Sequence, residues 1–126
     1  MRNLNCKGNG EYTYDYVHDI LLFKIKNRDY LKSIDFDNIV ADIDTKGYIT
    51  GLRIFDASKL FGMPKLSLKN VREFRFEIQV EDKVITIKLN FTSILRNRPI
   101  IQQGQNLVRE ATNSDIENSQ VLCTVY

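Results

Sequence analysis

The 126-residue chain has few of the residue types that build metal centres. It contains one histidine, His18, and two cysteines, Cys6 and Cys123, near opposite ends. Neither cysteine has a second ligand at the spacing of a structural zinc site, so the sequence excludes such a site. A disulfide between the two cysteines would close a long loop. We expect reduced thiols, because Met1–Gly10 lacks the apolar core of a signal peptide and cytosolic thiols stay reduced.

Long apolar runs and cofactor motifs are missing as well. No stretch approaches ~18 consecutive apolar residues, so we expect no membrane-spanning segment. The chain has no phosphate-binding loop, dinucleotide fingerprint or nucleophile elbow, and no cofactor is predicted. The net charge is only +2, which does not imply a polyanionic partner. The sequence therefore predicts a cytoplasmic protein without membrane contact, folded as a single domain over residues 1–126.

Alternating apolar and polar residues predict β-strands along most of the chain. The clearest pattern covers residues 71–92, where apolar side chains alternate with polar and charged ones on both sides of a turn at residues 81–83. This pattern predicts a long C-terminal hairpin with one apolar face, which another layer must cover. Further hairpins are predicted within residues 12–60. The expected fold is mainly β, an antiparallel β-sandwich or half-open roll of six to eight strands.

Two local signals interrupt the predicted strands. Residues 44–47 (Asp-Thr-Lys-Gly) have the composition of a tight turn, with an aspartate that can bind the turn backbone and a glycine that tolerates positive φ. One short helical turn is predicted near residues 57–62, where Asp56 or Ser58 can serve as the N-cap. Gly62 fits the C-terminal end of that turn.

The last part of the chain, residues 105–126, has the composition of a polar tail that ends in a strand. Leu107 and Val108 indicate a short helical turn within it. The β-branched run from Val121 to Val125 predicts an edge strand, which pairs with this molecule or with a neighbouring one. The candidate residues of that protein-interaction edge are Val121, Cys123 and Val125.

Two segments resemble the signatures of domain-of-unknown-function family 2283, over about residues 12–60. Tyr14–Leu21 (YDYVHDIL) is similar to the opening signature, although Tyr16 stands where the family commonly has proline. Asp42–Ser58 (DIDTKGYITGLRIFDAS) is similar to the closing signature, an acidic strand, a glycine turn, a second strand and an aspartate-alanine-serine end. The resemblance implies a short prokaryotic protein of no established activity, with an antitoxin-like binding role, and it supplies no catalytic residue.

Asp42 and Asp44 are the candidates for a metal site. They are two residues apart on a predicted strand and share one face, where paired carboxylates could hold Mg²⁺ for phosphodiester hydrolysis. The favoured interpretation is a solvated strand face on which Asp44 initiates the turn. His18 could act as a general base. It has no serine or cysteine at a nucleophile's spacing, so an exposed turn residue is the favoured interpretation.

A locally basic run over residues 59–75 is the candidate nucleic-acid site. The competing interpretation is a solvated lysine-rich loop, because the strand alternation places the nearby phenylalanines in the core rather than against bases. The candidate phosphate-binding residues are Lys65, Lys69, Arg72, Arg96 and Arg98.

The lack of catalytic chemistry and the strand-like C-terminus favour one class of function. This is a non-catalytic protein-interaction or oligomerising module, which self-associates or binds a protein partner. A regulatory protein that binds nucleic acid through the basic run is the alternative. A metal-dependent hydrolase that uses the paired aspartates is the second alternative.

Overall fold

A computed structural model describes residues 2–95, 98–111 and 115–126, with side chains described for residues 2–94, 104–111 and 115–126. These ranges contain ten strands and two helices of five residues each. In chain order the elements are β1 (Arg2–Asn5), β2 (Gly10–Asp15), β3 (Ile20–Ile25), β4 (Tyr30–Phe36), β5 (Ile39–Asp44), β6 (Ile49–Phe55), α1 (Ala57–Phe61), α2 (Lys65–Lys69), β7 (Val71–Glu81), β8 (Val84–Leu95), β9 (Arg98–Glu110) and β10 (Ser119–Val125).

The strands form two five-stranded sheets. One sheet has the order β2-β3-β6-β5-β4 and consists of consecutive residues between Gly10 and Phe55. The other has the order β1-β10-β7-β8-β9 and joins the N-terminal strand to the strands after residue 70. Every neighbouring pair is antiparallel except β1 and β10, which run parallel. The mainly β fold predicted from the sequence is confirmed.

The two sheets pack face to face through aromatic side chains. Phe23 on β3 contacts Phe74 and Phe76 on β7, with ring centroids 5.1 Å and 4.3 Å apart. All three rings are at most 1% exposed. Burying one such ring stabilises the fold by about 1.5–3 kcal/mol. The alternation predicted over residues 71–92 is confirmed, since the inward residues of β7 and β8 are buried in this shared core.

The strand count is ten rather than six to eight, and β9 accounts for part of the difference. The helical turn expected at Leu107 and Val108 is wrong, because both residues lie in β9 and pair with β8. Leu107 is buried at 8% exposure, whereas Val108 is 56% exposed. The alternation is present, but glutamines and asparagines occupy the neighbouring positions and weaken the apolar signal.

The helical turn predicted near residues 57–62 is confirmed as α1, and Gly62 follows it with φ of 62°. The second helix, α2, was not predicted. Pro64 precedes α2 with φ of −61°, a position where the missing proline N–H costs nothing. Both helices in the described part of the chain are far too short to cross a bilayer.

The C-terminal strand is not an edge strand, which corrects the expectation for Val121–Val125. β10 lies between β7 and β1, and its partners on β1 are all within the same chain. The expectation of reduced thiols is also corrected, since Cys6 and Cys123 form a disulfide with their Cα atoms 5.1 Å apart. β1 pairs with the side of β10 that faces away from β7. This pairing brings Cys6, after β1, next to Cys123 on β10.

Candidate functional site

The turn between β2 and β3 is held by the side chain of Asp15. Its Oδ1 accepts hydrogen bonds from the backbone N–H groups of Val17 and His18, each at 3.1 Å. Its Oδ2 lies 2.8 Å from Nδ1 of His18. The His18 backbone amide, followed by the His18 side chain, lowers the pKa of Asp15. His18 is thus an exposed turn residue whose ring pairs with the carboxylate that builds the turn.

Asp19 anchors the same turn to the start of α1. Its carboxylate accepts hydrogen bonds from the hydroxyls of Tyr14 at 2.5 Å and Ser58 at 2.6 Å. It also accepts the backbone N–H of Ser58 at 3.0 Å, and so it caps α1 across 39 residues. Burial alone would raise the pKa of Asp19, but these donors outweigh burial, and the pKa lies below its usual value. Asp56 occupies the predicted N-cap position, but its side chain makes no capping bond. Ser58 is not the cap, because it donates to Asp19.

The helix α2 presents one narrow arc to solvent. At 100° per residue, Lys65, Leu66 and Lys69 fall within about 100° of one another. The other side of the helix packs inward, with Ser67 and Leu68 at most 1% exposed. The hydroxyl of Tyr12 donates to the Leu68 carbonyl at 2.7 Å, and the Ser93 hydroxyl donates to the Ser67 carbonyl at 2.9 Å. These contacts fix which face of α2 is exposed.

The turn and α2 meet at Tyr16. The ammonium of Lys65 lies 5.6 Å from the Tyr16 ring centroid and 3.4 Å from the Tyr16 carbonyl oxygen. The ammonium of Lys69 lies 5.3 Å from the same ring centroid. Each cation–π contact at an exposed site is worth about 0.5–1 kcal/mol. These contacts hold the β2–β3 turn against α2, and both ammonium groups lie near the same tyrosine ring.

We call this surface the tyrosine–lysine patch and define it as Tyr16, Val17, Lys65, Leu66 and Lys69. Its three apolar or aromatic members are 46%, 77% and 50% exposed, in sequence order. Within the side chains that the structure describes, no carboxylate lies within 4.0 Å of either ammonium. The patch can therefore offer apolar surface and two ammonium groups to the same ligand, and the described side chains form no ion pair with either ammonium, although the Lys65 charge also acts on the Asp19 carboxylate.

The candidate nucleic-acid residues are only partly brought together. Lys65 and Lys69 share the tyrosine–lysine patch, as their spacing on α2 dictates. Arg72 is exposed at the start of β7 and lines a separate small cavity with Tyr126. Arg96 lies outside the described residues, and so does the side chain of Arg98. The sequence did not single out Tyr16 as a binding residue, although its position in a short polar turn is the signal that could have done so.

Each of the two candidate metal ligands, Asp42 and Asp44, forms an ion pair with an arginine of the same chain. Asp44 is 1% exposed, and its Oδ2 accepts from Nε and Nη2 of Arg28 at 2.8 Å and 2.7 Å. Oδ1 of Asp44 accepts the backbone N–H groups of Lys46 and Tyr48 at 3.0 Å and 2.9 Å. Asp44 thus initiates the turn as expected, but the expectation of a solvated strand face is wrong at this residue, because Asp44 is buried against Arg28.

Asp42 is likewise engaged. Its Oδ1 accepts the Ser33 hydroxyl at 2.7 Å and lies 3.2 Å from Nη2 of Arg53. In residues 2–94, 104–111 and 115–126, no group of three histidines, cysteines, aspartates or glutamates is arranged to hold a metal ion. The pair therefore has local structural partners at both carboxylates.

The candidate edge residues point into the core. Val121 and Cys123 are at most 1% exposed, and Val125 is half-buried against the core. The outward residues of β10 are the alternating ones, Gln120 and Leu122, which line a shallow groove with the outward residues of β1. The sequence alternation could have shown this, because Val121, Cys123 and Val125 share one face of a strand.

These features define a two-sheet β-sandwich protein in which the first turn of one sheet caps the helix that leads to the other. The model of the family described as "Protein of unknown function (DUF2283)" matches residues 11–58, which contain the β2–β6 sheet almost whole and end at Ser58. The chain belongs to this family. The match therefore begins in the edge strand β2 and ends at Ser58, which donates hydrogen bonds to Asp19.

Two curated relatives cover most of the chain. A Methanosarcina mazei protein named "Putative hypoxanthine phosphoribosyltransferase" is 33% identical over 94 residues, which is 75% of this chain and 76% of that protein. An uncharacterised protein of Methanocaldococcus jannaschii is 33% identical over 92 residues, which is 72% of this chain and 79% of that protein. No solved structure matches.

Proposed function

We propose that this protein is a non-catalytic binding module that recognises another protein through the tyrosine–lysine patch. One observation carries the proposal: two ammonium groups that form no ion pair within 4.0 Å in the described side chains converge on the exposed ring of Tyr16, and Val17 next to it in the chain is also exposed. Exposed apolar surface at a rigid turn is a mark of interaction sites. The Asp15 and Asp19 bonds hold this turn in place before any partner arrives, which lowers the entropy cost of binding.

The chemistry of the patch defines the partner. Carboxylates of the partner can pair with Lys65 and Lys69, and an apolar side chain can cover Val17 and Leu66. The fitting ligand is a protein segment in which acidic residues flank an apolar one. An antitoxin-like role and self-association, both expected from the sequence, are compatible with such a ligand.

Nucleic acid remains the second candidate, because two lysines beside an aromatic ring can also hold a phosphate and a base. The protein ligand is favoured because both ammonium groups already approach the Tyr16 ring, so a base would compete with them for it. Arg72 lies at a different cavity and adds no charge to the patch.

The activity in the name of the M. mazei relative is not part of the proposal. Proteins that hold phosphate groups through Mg²⁺ usually supply one or two carboxylates for the metal. Asp42 and Asp44 instead pair with Arg53 and Arg28. The same pairing disfavours the metal-dependent hydrolase.

The cytoplasmic location expected from the sequence stays a prediction. The disulfide between Cys6 and Cys123 weighs against a permanently reducing compartment, because cytosolic thiols are normally kept reduced. The measurement that addresses this point is the thiol content of the protein taken directly from its native cells.

The test of the binding function uses synthetic ligands. Fluorescence anisotropy is measured with labelled peptides that vary the spacing of glutamate and leucine, and with a single-stranded oligonucleotide of equal charge. We expect the Lys65→Glu, Lys69→Glu double variant to bind the best peptide at least tenfold more weakly. The matched control, Lys26→Glu with Lys88→Glu, has the same net charge and changes two exposed lysines outside the patch.

The control separates the outcomes. Equal weakening in both double variants would show that net charge, not the patch, drives binding. Tighter binding of the oligonucleotide than of every peptide would favour the nucleic-acid function. Tyr16→Ala tests the aromatic contribution, and unchanged peptide binding in this variant would overturn the proposed site.

A further inference from the structure

The N-terminal strand β1 acts as a cover over the edge of β10. It has only four residues, and it pairs in parallel from Arg2 with Ser119 to Asn5 with Leu122. The backbone N–H of Cys6 extends this ladder by donating to the Leu122 carbonyl at 3.2 Å. Without β1, the side of β10 opposite β7 would present unpaired backbone groups, which readily accept another strand.

Besides the backbone ladder and the packing of Leu4 against the core, β1 is held by the side chain of Arg2. Arg2 pairs with Glu117 at 2.5 Å, donates to the Lys46 carbonyl at 2.6 Å and lies 4.7 Å from the Tyr48 ring centroid. The two side chains of the ion pair are 40% and 67% exposed, and ion pairs at this level of exposure typically add little to stability. The disulfide from Cys6 to Cys123 is therefore the strongest link between β1 and β10, and it joins the covering strand directly to the strand it covers.

The link from β1 to β2 is a strained hinge. It crosses from one sheet to the other in four residues, 6–9, with the Asn9 N–H donating to the Cys6 carbonyl at 2.9 Å. Lys7 has φ of 48° and Gly8 has φ of 86°. A lysine in this left-handed region is unfavourable, so extending the hinge would relieve strain. Short strained hinges favour exchange of the element they carry.

We propose that the β1-covered edge of β10 is an interaction surface for β1 of a second copy of this chain, and that reduction of the Cys6–Cys123 disulfide opens it. The reductant is a dithiol. It gives up two electrons and two protons, so the Cys6–Cys123 bond breaks, each sulfur becomes a thiol, and the dithiol becomes a disulfide.

The exchanged dimer reproduces the contacts of the closed molecule. Each β1 would pair with the partner copy's β10 around a two-fold axis, which gives a closed assembly. The four hinge residues span at most about 14 Å when extended, so the two β10 edges must lie side by side. A small-molecule disulfide then joins the two copies covalently, because Cys6 of one copy faces Cys123 of the other. The two thiols give up two electrons and two protons, and the small disulfide is reduced to two thiols.

The decisive experiment mixes two variants that cannot close their own disulfide. Cys6→Ser keeps Cys123, and Cys123→Ser keeps Cys6. We expect a covalent dimer on a non-reducing gel only when the two variants are mixed and oxidised at high concentration. Peptide mapping should place the bond between Cys6 of one variant and Cys123 of the other. A mixture that stays monomeric would overturn the proposal, as would equal dimer formation by either variant alone.

A second experiment uses wild-type cysteines and remains informative if the serine variants fold poorly. The protein is reduced with dithiothreitol and examined by sedimentation over a range of concentrations. We expect a dimer that appears only after reduction and grows with concentration. A monomer at every concentration in the reduced state would contradict the exchange.

Two hinge variants should change the dimer fraction in that assay in opposite directions. Lys7→Gly removes the strain of the closed hinge, so the dimer fraction should fall several-fold. Gly8→Ala adds strain without a clash, since no atom lies within 4 Å of the added Cβ, so the dimer fraction should rise. Changes in the same direction for both variants would show that hinge strain does not drive the exchange.

Discussion

The carboxylate of Asp19 in the first turn caps α1 by accepting the backbone N–H of Ser58 at 3.0 Å and the Ser58 hydroxyl at 2.6 Å. This contact joins residues 39 positions apart and ties the β2–β3 turn to the start of α1. Ser58 is also the last residue of the segment that the family model matches. Asp19 thus acts as a structural cap of α1.

Asp19→Asn tests this cap. The amide nitrogen cannot accept from the Ser58 or Tyr14 hydroxyl, so we expect a loss of about 2 kcal/mol in the free energy of unfolding at pH 7. Urea unfolding followed by circular dichroism measures it. Asp37→Asn is the control, because Asp37 is an exposed turn residue with positive φ, and it should change stability by less than ~0.5 kcal/mol.

The stability contributed by Asp19 should depend on pH. Its pKa is lowered in the folded protein, so its contribution is present above the unfolded-state pKa of about 3.9 and is lost as the pH falls through the folded-state pKa. The difference between wild type and Asp19→Asn should therefore narrow in acid. A difference that stays constant from pH 7 to pH 3 would contradict the ionised cap.

The Arg28–Asp44 pair should be worth more than the Arg53–Asp42 pair. Asp44 is almost fully buried, and Arg28→Met leaves it without its cation, which we expect to cost about 3 kcal/mol. Arg53→Met removes a cation from a more exposed carboxylate and should cost less than ~1 kcal/mol. Thermal unfolding of both variants measures the contrast, and equal losses would show that burial does not decide the effect.

Gly10→Ala tests the close approach of β2 to β10. The added Cβ would lie 2.5 Å from the sulfur of Cys123 and 2.6 Å from a methyl group of Val125, so the strands must separate. Overpacking of this kind costs about 1–3 kcal/mol. Gly104→Ala is the matched control, since its Cβ would meet only the end of the flexible Asn90 side chain at 3.2 Å. If denaturant unfolding gives the same stability for Gly10→Ala and wild type, the sheets are not this closely packed.

Phe74→Ala tests the aromatic contact between the sheets. The Phe74 ring contacts those of Tyr12 and Phe23 on the opposite sheet, with centroids 4.9 Å and 5.1 Å away. Loss of a buried phenylalanine typically costs about 3–5 kcal/mol. We expect a large fall in the midpoint of thermal unfolding, and a change of only a few degrees would contradict a core centred on this ring.

Much of the fold could be predicted from particular residues because strand alternation is a local signal. The hairpin over residues 71–92 and the turn at residues 44–47 are confirmed, and Gly62 ends α1 as expected. One local prediction was wrong where the alternation is weak. Leu107 and Val108 were placed in a helical turn because the amide-rich strand around them has little apolar contrast, and pairing with β8 decides their conformation.

Only some residues of the candidate site can be predicted from the sequence. Lys65 and Lys69 were named because basic residues are visible in a sequence. Tyr16 was not, because only the packing of α2 against the turn brings both lysines to its ring. The sequence indicates the turn role of Asp44, because its turn partners are neighbours in the chain. It does not indicate that Arg28, 16 residues away, pairs with Asp44.

The sequence by itself determined the periodicity of the strands, the turn chemistry and the family, since each of these depends on residues that are neighbours in the chain. Tertiary structure decided the order of the strands, the cap of Asp19 on α1, the disulfide and the covering of β10 by β1. All four depend on contacts between distant residues, whose formation is governed by how two apolar faces pack rather than by any local preference. For that reason the strand expected to be an open edge lies inside a sheet, fastened by the two cysteines at opposite ends of the chain.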